Sequence, residues 1–153
     1  MDLADIRERI LSTPLVGRLP DGMRQRFVMI LLWLSNTREV SREETLFEQG
    51  ESGGDEGCLI LEGMVRIKTE SAANKTIEAP DILGEVQLFT PKKQRTATVE
   101  VVVGGNVLIF SWHELANTAK EHFSDAEFAD LKRVITESAW TREDNLQQKV
   151  KDM

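Results

Sequence analysis

Apolar residues in the first third of the chain recur at the spacing of amphipathic helices. The first predicted helix spans residues 2–11, and its apolar face consists of Leu3, Ile6 and Ile10. Asp2 can cap this helix, and Pro14 and Pro20 interrupt the pattern after it. A second helix is predicted to begin at Asp21, with an apolar face of Phe27, Ile30, Leu31 and Leu34.

Between residues 37 and 110 the pattern changes to short β-type runs separated by glycines. The runs that predict strands are Thr45–Phe47, Cys58–Leu61, Met64–Lys68, Thr96–Val103 and Val107–Phe110. The turn glycines, expected to supply positive φ, are Gly50, Gly53, Gly54, Gly63, Gly104 and Gly105. Strands this short and closely spaced predict a mainly β sandwich or roll.

Helical spacing returns at residue 111. Ser111 with Glu114, and Ser124 with Glu127, fit capping boxes that begin two further helices. The apolar stripe of the last helix consists of Phe128, Leu131, Ile135, Ala139, Leu146 and Val150. This helix is either a lid packed on the roll or the seam of a dimer. We expect one domain, divided into helices (1–36), β-roll (37–110) and helices (111–153).

Composition and charge argue against several functions. The 153-residue chain carries a formal net charge of −7 and no clustered row of Lys and Arg, so nucleic-acid binding is not expected. The longest apolar stretch, 27–34, is shorter than the ~20 residues of a membrane span. The acidic N-terminus and the single Cys58, expected to be a small buried residue, favour the reducing cytoplasm.

The sequence carries no catalytic or metal-binding pattern. His113 and Glu114 begin a zinc-type helical motif, but Asn117 occupies the position of the second histidine and His122 lies too far along the chain. A P-loop and a serine nucleophile elbow are also missing. We therefore expect a binding protein with neither metal nor cofactor, and not an enzyme.

Residues 84–99 depart from strand alternation and have the composition of an anion-binding loop. Gly84 permits a sharp turn, and the residues after it can form a helical turn whose free N–H groups point at an anion. Arg95 offers a fork-shaped guanidinium to phosphate oxygens, and Thr96 adds a hydroxyl donor. Glu85 can accept hydrogen bonds from a sugar hydroxyl, so the pattern favours a sugar phosphate over free phosphate.

The letters of this segment resemble the phosphate-binding cassette of the cyclic-nucleotide-binding domain family, which includes the catabolite activator protein, protein kinase regulatory subunits and gated channels. The cassette run is G-E-V-Q-L-F, five variable residues and R-T-A-T, over residues 84–98. The run F-E-Q-G-E-S-G-G-D-E-G-C-L-I-L-E-G-M-V-R-I, over 47–67, resembles the family's first hairpin. The segment L-S-T-P-L-V-G-R-L-P-D, over 11–21, resembles its helical lead-in.

The resemblance implies a double-stranded β-helix, or jelly roll, that binds a cyclic mononucleotide, either cAMP or cGMP. Glu85 would bind the ribose 2′-hydroxyl and Arg95 the exocyclic phosphate oxygens, while Gly84 and Thr96 would complete the cradle. The residues implied to line it are Leu83, Val86, Leu88 and Ala97. In the family the helix after the roll closes over the base, and here that helix offers Thr136, Ser138, Trp140 and Thr141.

The sequence also departs from the family pattern. Pro80 stands where glycine is usual, and Gly57–Cys58 replaces an apolar-aromatic pair, but neither change removes Glu85 or Arg95. Two tryptophans, Trp33 and Trp112, are expected in the core or in a hydrophobic staple, whereas Trp140 either packs in the last helix or stacks on a base.

We therefore expect a cytoplasmic regulatory module that binds a cyclic nucleotide and signals through its C-terminal helix to an effector protein or to a second copy. All residues after the roll are used by predicted helices, so the DNA-reading domain of transcription-factor relatives is not expected. The alternative is a degenerate roll that keeps the fold and serves as an interaction or dimerisation scaffold without nucleotide.

Overall fold

The order of elements in the fold is helices, then strands, then helices. A computed structural model describes residues 1–51, 55–69, 74–84 and 97–151, with side chains up to residue 138. The helices are α1 (Leu3–Leu11), α2 (Pro14–Gly17), α3 (Asp21–Leu34), α4 (Trp112–His122) and α5 (Asp125–Lys151). The strands are β1 (Asn36–Val40), β2 (Thr45–Phe47), β3 (Glu56–Ile60), β4 (Met64–Lys68), β5 (Lys75–Glu78), β6 (Asp81–Leu83), β7 (Thr98–Val103) and β8 (Gly105–Ser111).

The described strands form two four-stranded antiparallel sheets. The first sheet has the order β1-β8-β3-β6, and the second has the order β2-β7-β4-β5. The chain therefore crosses from one sheet to the other after almost every strand, and the hairpin β4–β5 is the exception. This alternation confirms the predicted jelly roll, mainly β with helices at both ends.

Residues from both sheets share one apolar cluster, which we call the roll interior. Its members are Val40, Phe47, Cys58, Ile60, Val65, Ile67, Ile77, Leu83, Ala97, Val99, Val101 and Val107. The strands alternate because successive side chains point to opposite faces of a sheet. In β3, Cys58 and Ile60 enter the roll interior, while the residue between them, Leu59, packs on the other side.

The helices cover that other side of the first sheet and form a second cluster. Phe27 and Leu31 of α3, Leu115 of α4 and Leu131 of α5 pack there with Phe110 of β8. The capping predictions explain where the two C-terminal helices begin. Ser111 Oγ accepts the backbone N–H of Glu114 at 3.2 Å, and the Ser124 box is reciprocal, with bonds of 3.0 and 3.2 Å to Glu127.

Two core predictions are wrong because α1 and α3 are covered on one side only. Trp33 is 84% exposed, on the side of α3 away from Phe27 and Leu31, and Leu3 of α1 is 64% exposed. The remaining residues of the predicted apolar faces on α1 and α3 are buried, except that Ile6 and Leu34 are only partly buried against the helical cluster. Ile10 is fully buried, and Trp112, in α4, is 3% exposed.

The strand and turn predictions need correction at three strands and two glycines. Strands β1, β5 and β6 were not predicted, because β1 is exposed except for Val40 and the other two are short. Gly50 and Gly63 have positive φ as expected, whereas Gly104 and Gly105 do not. A Cβ on Gly104 or Gly105 would lie 2.7 Å from a backbone carbonyl oxygen, so close packing requires these glycines. Gly53 and Gly54 lie outside the described residues.

Candidate functional site

The two ends of the predicted cassette come from different sheets and belong to the same apolar cluster in the roll interior. Leu83 ends β6, is 2% exposed and lies opposite Cys58 of β3. Ala97 is 9% exposed and immediately precedes β7 in the second sheet. Both side chains belong to the same apolar cluster. The fold therefore anchors both ends of the segment 85–96 at one end of the roll.

Gly84 directly follows strand β6 and has a backbone conformation that favours glycine. Its φ is +100°, in the left-handed region. A left-handed backbone costs other residues roughly 1–2 kcal/mol, so glycine is the residue suited to this turn. The chain therefore leaves the first sheet directly after Leu83, as the sequence predicts.

The walls of the roll near these ends are apolar. Val65 and Ile67 of β4 face the interior, as do Val99 and Val101 of β7. Such walls suit the flat face of a base or a sugar ring better than a charged group. Phosphate contacts would have to come from the cassette itself.

Sequence reasoning did not assign the wall residues Phe47, Cys58 and Val99 to the site. Phe47 and Val99 are paired in the β2–β7 register, and Cys58 is fully buried, as expected for a small core residue. Strand alternation could have identified Val99, because Val99 lies two residues after Ala97 and its side chain therefore points to the same face.

Five of the predicted ligand-binding residues lie outside the described residues. They are Glu85, Val86, Leu88, Arg95 and Thr96. Their roles remain predictions, whereas the structure places Leu83, Gly84 and Ala97 at the two ends of the segment that contains them.

The predicted lid residues all fall on α5, in its middle part. Thr136 is half-buried and its hydroxyl donates to the carbonyl oxygen of Lys132 at 2.8 Å; Ser138 is also half-buried. Trp140 and Thr141 lie within α5, but their side chains are outside the described part of the chain. Their roles as lid residues therefore remain predictions.

The first half of α5 is fixed to the helical layer. Leu131, Val134 and Ile135 are buried in the helical cluster. Arg26 of α3 forms an ion pair with Glu127, next to the α5 N-terminus. The pKa of Glu127 is lowered to about 2. The largest cause is the hydrogen bond from Arg26, and the next is the hydrogen bond from the backbone N–H of Ser124. These contacts hold the start of α5 against α3 and α4.

An open cavity of about 250 Å³ lies at the opposite end of the roll from the cassette. It is lined by Arg9, Glu62, Gly63, Met64, Glu78, Ala79 and Val103. In the β4–β7 register, Met64 pairs with Val103, whereas Lys68 pairs with Thr98 beside the cassette. This cavity is therefore separate from the predicted site.

Two other kinds of site are absent from the described residues. None of the described helices combines the length and hydropathy needed to cross a bilayer. Within the same residues, no group of three or more His, Cys, Asp or Glu side chains is placed to hold a metal ion.

The sequence profile of the family described as "Cyclic nucleotide-binding domain" matches residues 37–122. The match begins in β1 and ends with α4, so it contains both sheets and the whole cassette. No curated protein sequence matches the chain significantly.

Solved structures share this fold at low sequence identity. The sensor domain of the transcriptional regulator DNR from Pseudomonas aeruginosa aligns with a TM-score of 0.65 and 18% identity, over 89% of this chain and 91% of that one. A protein of Geobacter metallireducens named for cyclic nucleotide binding aligns with a TM-score of 0.63 and 18% identity, over 89% of this chain and 96% of that one. A similarly named protein of Ruegeria pomeroyi aligns with a TM-score of 0.67 and 18% identity, over 97% of this chain and 64% of that one.

Proposed function

The chain belongs to the cyclic nucleotide-binding domain family, and on that premise we propose that it is a regulatory module whose roll binds cAMP or cGMP. The observation that supports this proposal is that Leu83 and Ala97, from different sheets, both lie in the apolar roll interior. These residues flank a segment whose letters match the family's cassette, so a ligand held by that segment would extend into the apolar roll. The module acts by binding and not by catalysis.

The binding chemistry follows from the cassette residues. Arg95 pairs with the exocyclic phosphate oxygens, because a guanidinium presents two parallel donors to an anion. Glu85 accepts a hydrogen bond from the ribose 2′-hydroxyl, and Thr96 donates to the phosphate. Val86 and Leu88 add apolar contact beside Leu83 and Ala97. The apolar walls of the roll accept the remainder of the nucleotide.

Signalling passes through α5. Its first half is anchored by Glu127, Leu131 and Ile135, so we place the response in its second half, residues 139–151. Trp140 and Thr141 in that half, with Thr136 and Ser138 just before it, are the candidates to close over the base. Ligand shifts the helix only if it binds the closed state more tightly than the open one.

The output is a cytoplasmic effector protein or a second copy of the chain, and the whole of residues 1–153 serves as one sensing unit. The exposed side chains Met29 (59%) and Trp33 (84%), one helical turn apart on α3, support an output by protein contact. They also favour the second candidate function, an interaction scaffold that keeps the roll without binding nucleotide.

Calorimetric titration with cAMP and with cGMP tests the proposal. The wild-type protein should bind at least one of them saturably, and Arg95→Ala should weaken binding by about 2–3 kcal/mol, roughly 30- to 150-fold in Kd. Arg42→Ala is the matched control. Arg42 is exposed and lies beside Gly104, at the far end of β7 from the cassette.

The possible outcomes separate the two candidate functions. Loss of binding in Arg95→Ala with binding retained in Arg42→Ala supports a nucleotide sensor that uses the cassette. Saturable binding that is unchanged in Arg95→Ala refutes the site assignment. Absence of heat and of any thermal shift with both nucleotides supports the scaffold.

A further inference from the structure

Two buried polar side-chain atoms of the described residues have no hydrogen-bond partner: Nε1 of Trp112, in the helical layer, and Oγ1 of Thr69. Thr69 directly follows β4, and its Oγ1 atom is buried with no hydrogen-bond partner in the described part of the structure. A buried hydroxyl without a partner destabilises a folded protein, because it has lost its hydrogen bonds to water. Such groups are rare in native structures, so each calls for an explanation.

The strand pattern gives the direction of this side chain. In β4, Val65 and Ile67 are buried in the roll interior, while Met64, Arg66 and Lys68 between and beside them are half-buried. Side chains alternate between the two faces of a strand, so residue 69 has the same parity as Val65 and Ile67.

The register of the sheet places Thr69 beside the cassette. Lys68 pairs with Thr98 in the antiparallel β4–β7 ladder. One further step of this register brings Thr69 opposite Ala97, the buried residue where the cassette segment ends. The unpartnered hydroxyl therefore faces inward at the end of the roll where the predicted ligand enters.

We propose that the Thr69 hydroxyl hydrogen-bonds the bound cyclic nucleotide, as a contact from the roll wall outside the cassette. This inference rests on the proposed function. A hydroxyl both donates and accepts, so it can pair with adenine or guanine derivatives alike. Among otherwise apolar walls, it is the group able to fix how the nucleotide sits in the roll.

Thr69→Val tests this contact, because valine keeps the shape of threonine and removes the hydroxyl. We expect its affinity for cAMP and cGMP to fall about tenfold, the effect of one lost hydrogen bond. The melting temperature of the ligand-free protein should stay the same or rise, since an unpartnered hydroxyl is removed. Thr69→Ser should bind like the wild type, because it keeps the hydroxyl.

Thr76→Val is the matched control. Thr76 is exposed on β5 and pairs with Arg66, on the outer face of the same sheet. Binding that is unchanged in Thr69→Val overturns this inference and leaves the nucleotide sensor intact. A lower melting temperature in Thr69→Val also overturns it, because the hydroxyl would then hold the fold. Absence of binding by the wild type overturns both proposals.

Discussion

Adding a single methyl group at Gly57 should destabilise the junction between the roll and the C-terminal helices. A Cβ at this position would lie 2.4 Å from Cζ and 2.6 Å from Cε2 of Phe110, and 2.7 Å from Nε1 of Trp112. Carbon atoms in contact normally lie about 3.5–4.0 Å apart, so the Phe110 ring would have to move by roughly 1 Å or more. This contact explains why glycine occupies position 57.

Neither ring has room to move. Phe110 and Trp112 are each 3% exposed, and their centroids lie 4.9 Å apart at an interplanar angle of 73°. Overpacking of a well-packed core costs about 1–3 kcal/mol. For a protein of this size each kcal/mol corresponds to about 2–4 °C. Gly57→Ala should therefore lower the melting temperature by about 2–12 °C.

Urea and thermal unfolding, followed by circular dichroism, measure this cost. Gly22→Ala is the control, because Gly22 lies in the first turn of α3 and a Cβ added there would meet no atom within 4 Å. Alanine at this position should stabilise the protein by about 0.4–1 kcal/mol. The cost of Gly57→Ala should shrink in a Phe110→Leu background, because the clashing ring is gone. Equal stability of Gly57→Ala and wild type would refute the reasoning.

Two further predictions concern α5. Glu127, with its pKa lowered to about 2 from 4.5, stabilises the fold above pH 4.5, and that contribution is lost as the pH falls from about 4.5 to 2. Glu127→Gln should therefore flatten the loss of stability over this range in acid unfolding, whereas exposed Glu121→Gln should not; a similar slope in both variants would contradict the shift. Removal of residues 139–153 keeps the buried anchor of Leu131 and Ile135 and should weaken nucleotide binding measured by calorimetry; unchanged affinity would exclude Trp140 and Thr141 as lid residues.

Local features were read correctly from the sequence wherever the physical cause is itself local. The serine caps at Ser111 and Ser124 were predicted because a cap is a bond between residues three apart. The sharp turn at Gly84 was predicted because positive φ is a property of one residue. The family was recognised from the letters of this segment and of the first hairpin, and the family profile over 37–122 agrees with that recognition.

The sequence did not predict which faces of the helices and strands are covered by other elements. The hydrophobicity of Trp33 or of Leu3 does not depend on where the residue lies in the fold. Both side chains are exposed because of how α1 and α3 are arranged. Strand β1 has four exposed residues and forms because β8 supplies its hydrogen-bond partners. Periodicity contains no information about which neighbour pairs with such a strand.

The sequence by itself determined the succession of helices, β-roll and helices, the two serine caps and the residue types of the cassette, because these depend on contacts within a few positions. Only the tertiary structure decided that Leu83 and Ala97 share one apolar cluster, that Gly57 makes room for Phe110 and Trp112, and that Arg26 pairs with Glu127. The physical reason is that these contacts join residues distant along the chain, whose approach is set by how the two sheets and the helical layer pack together.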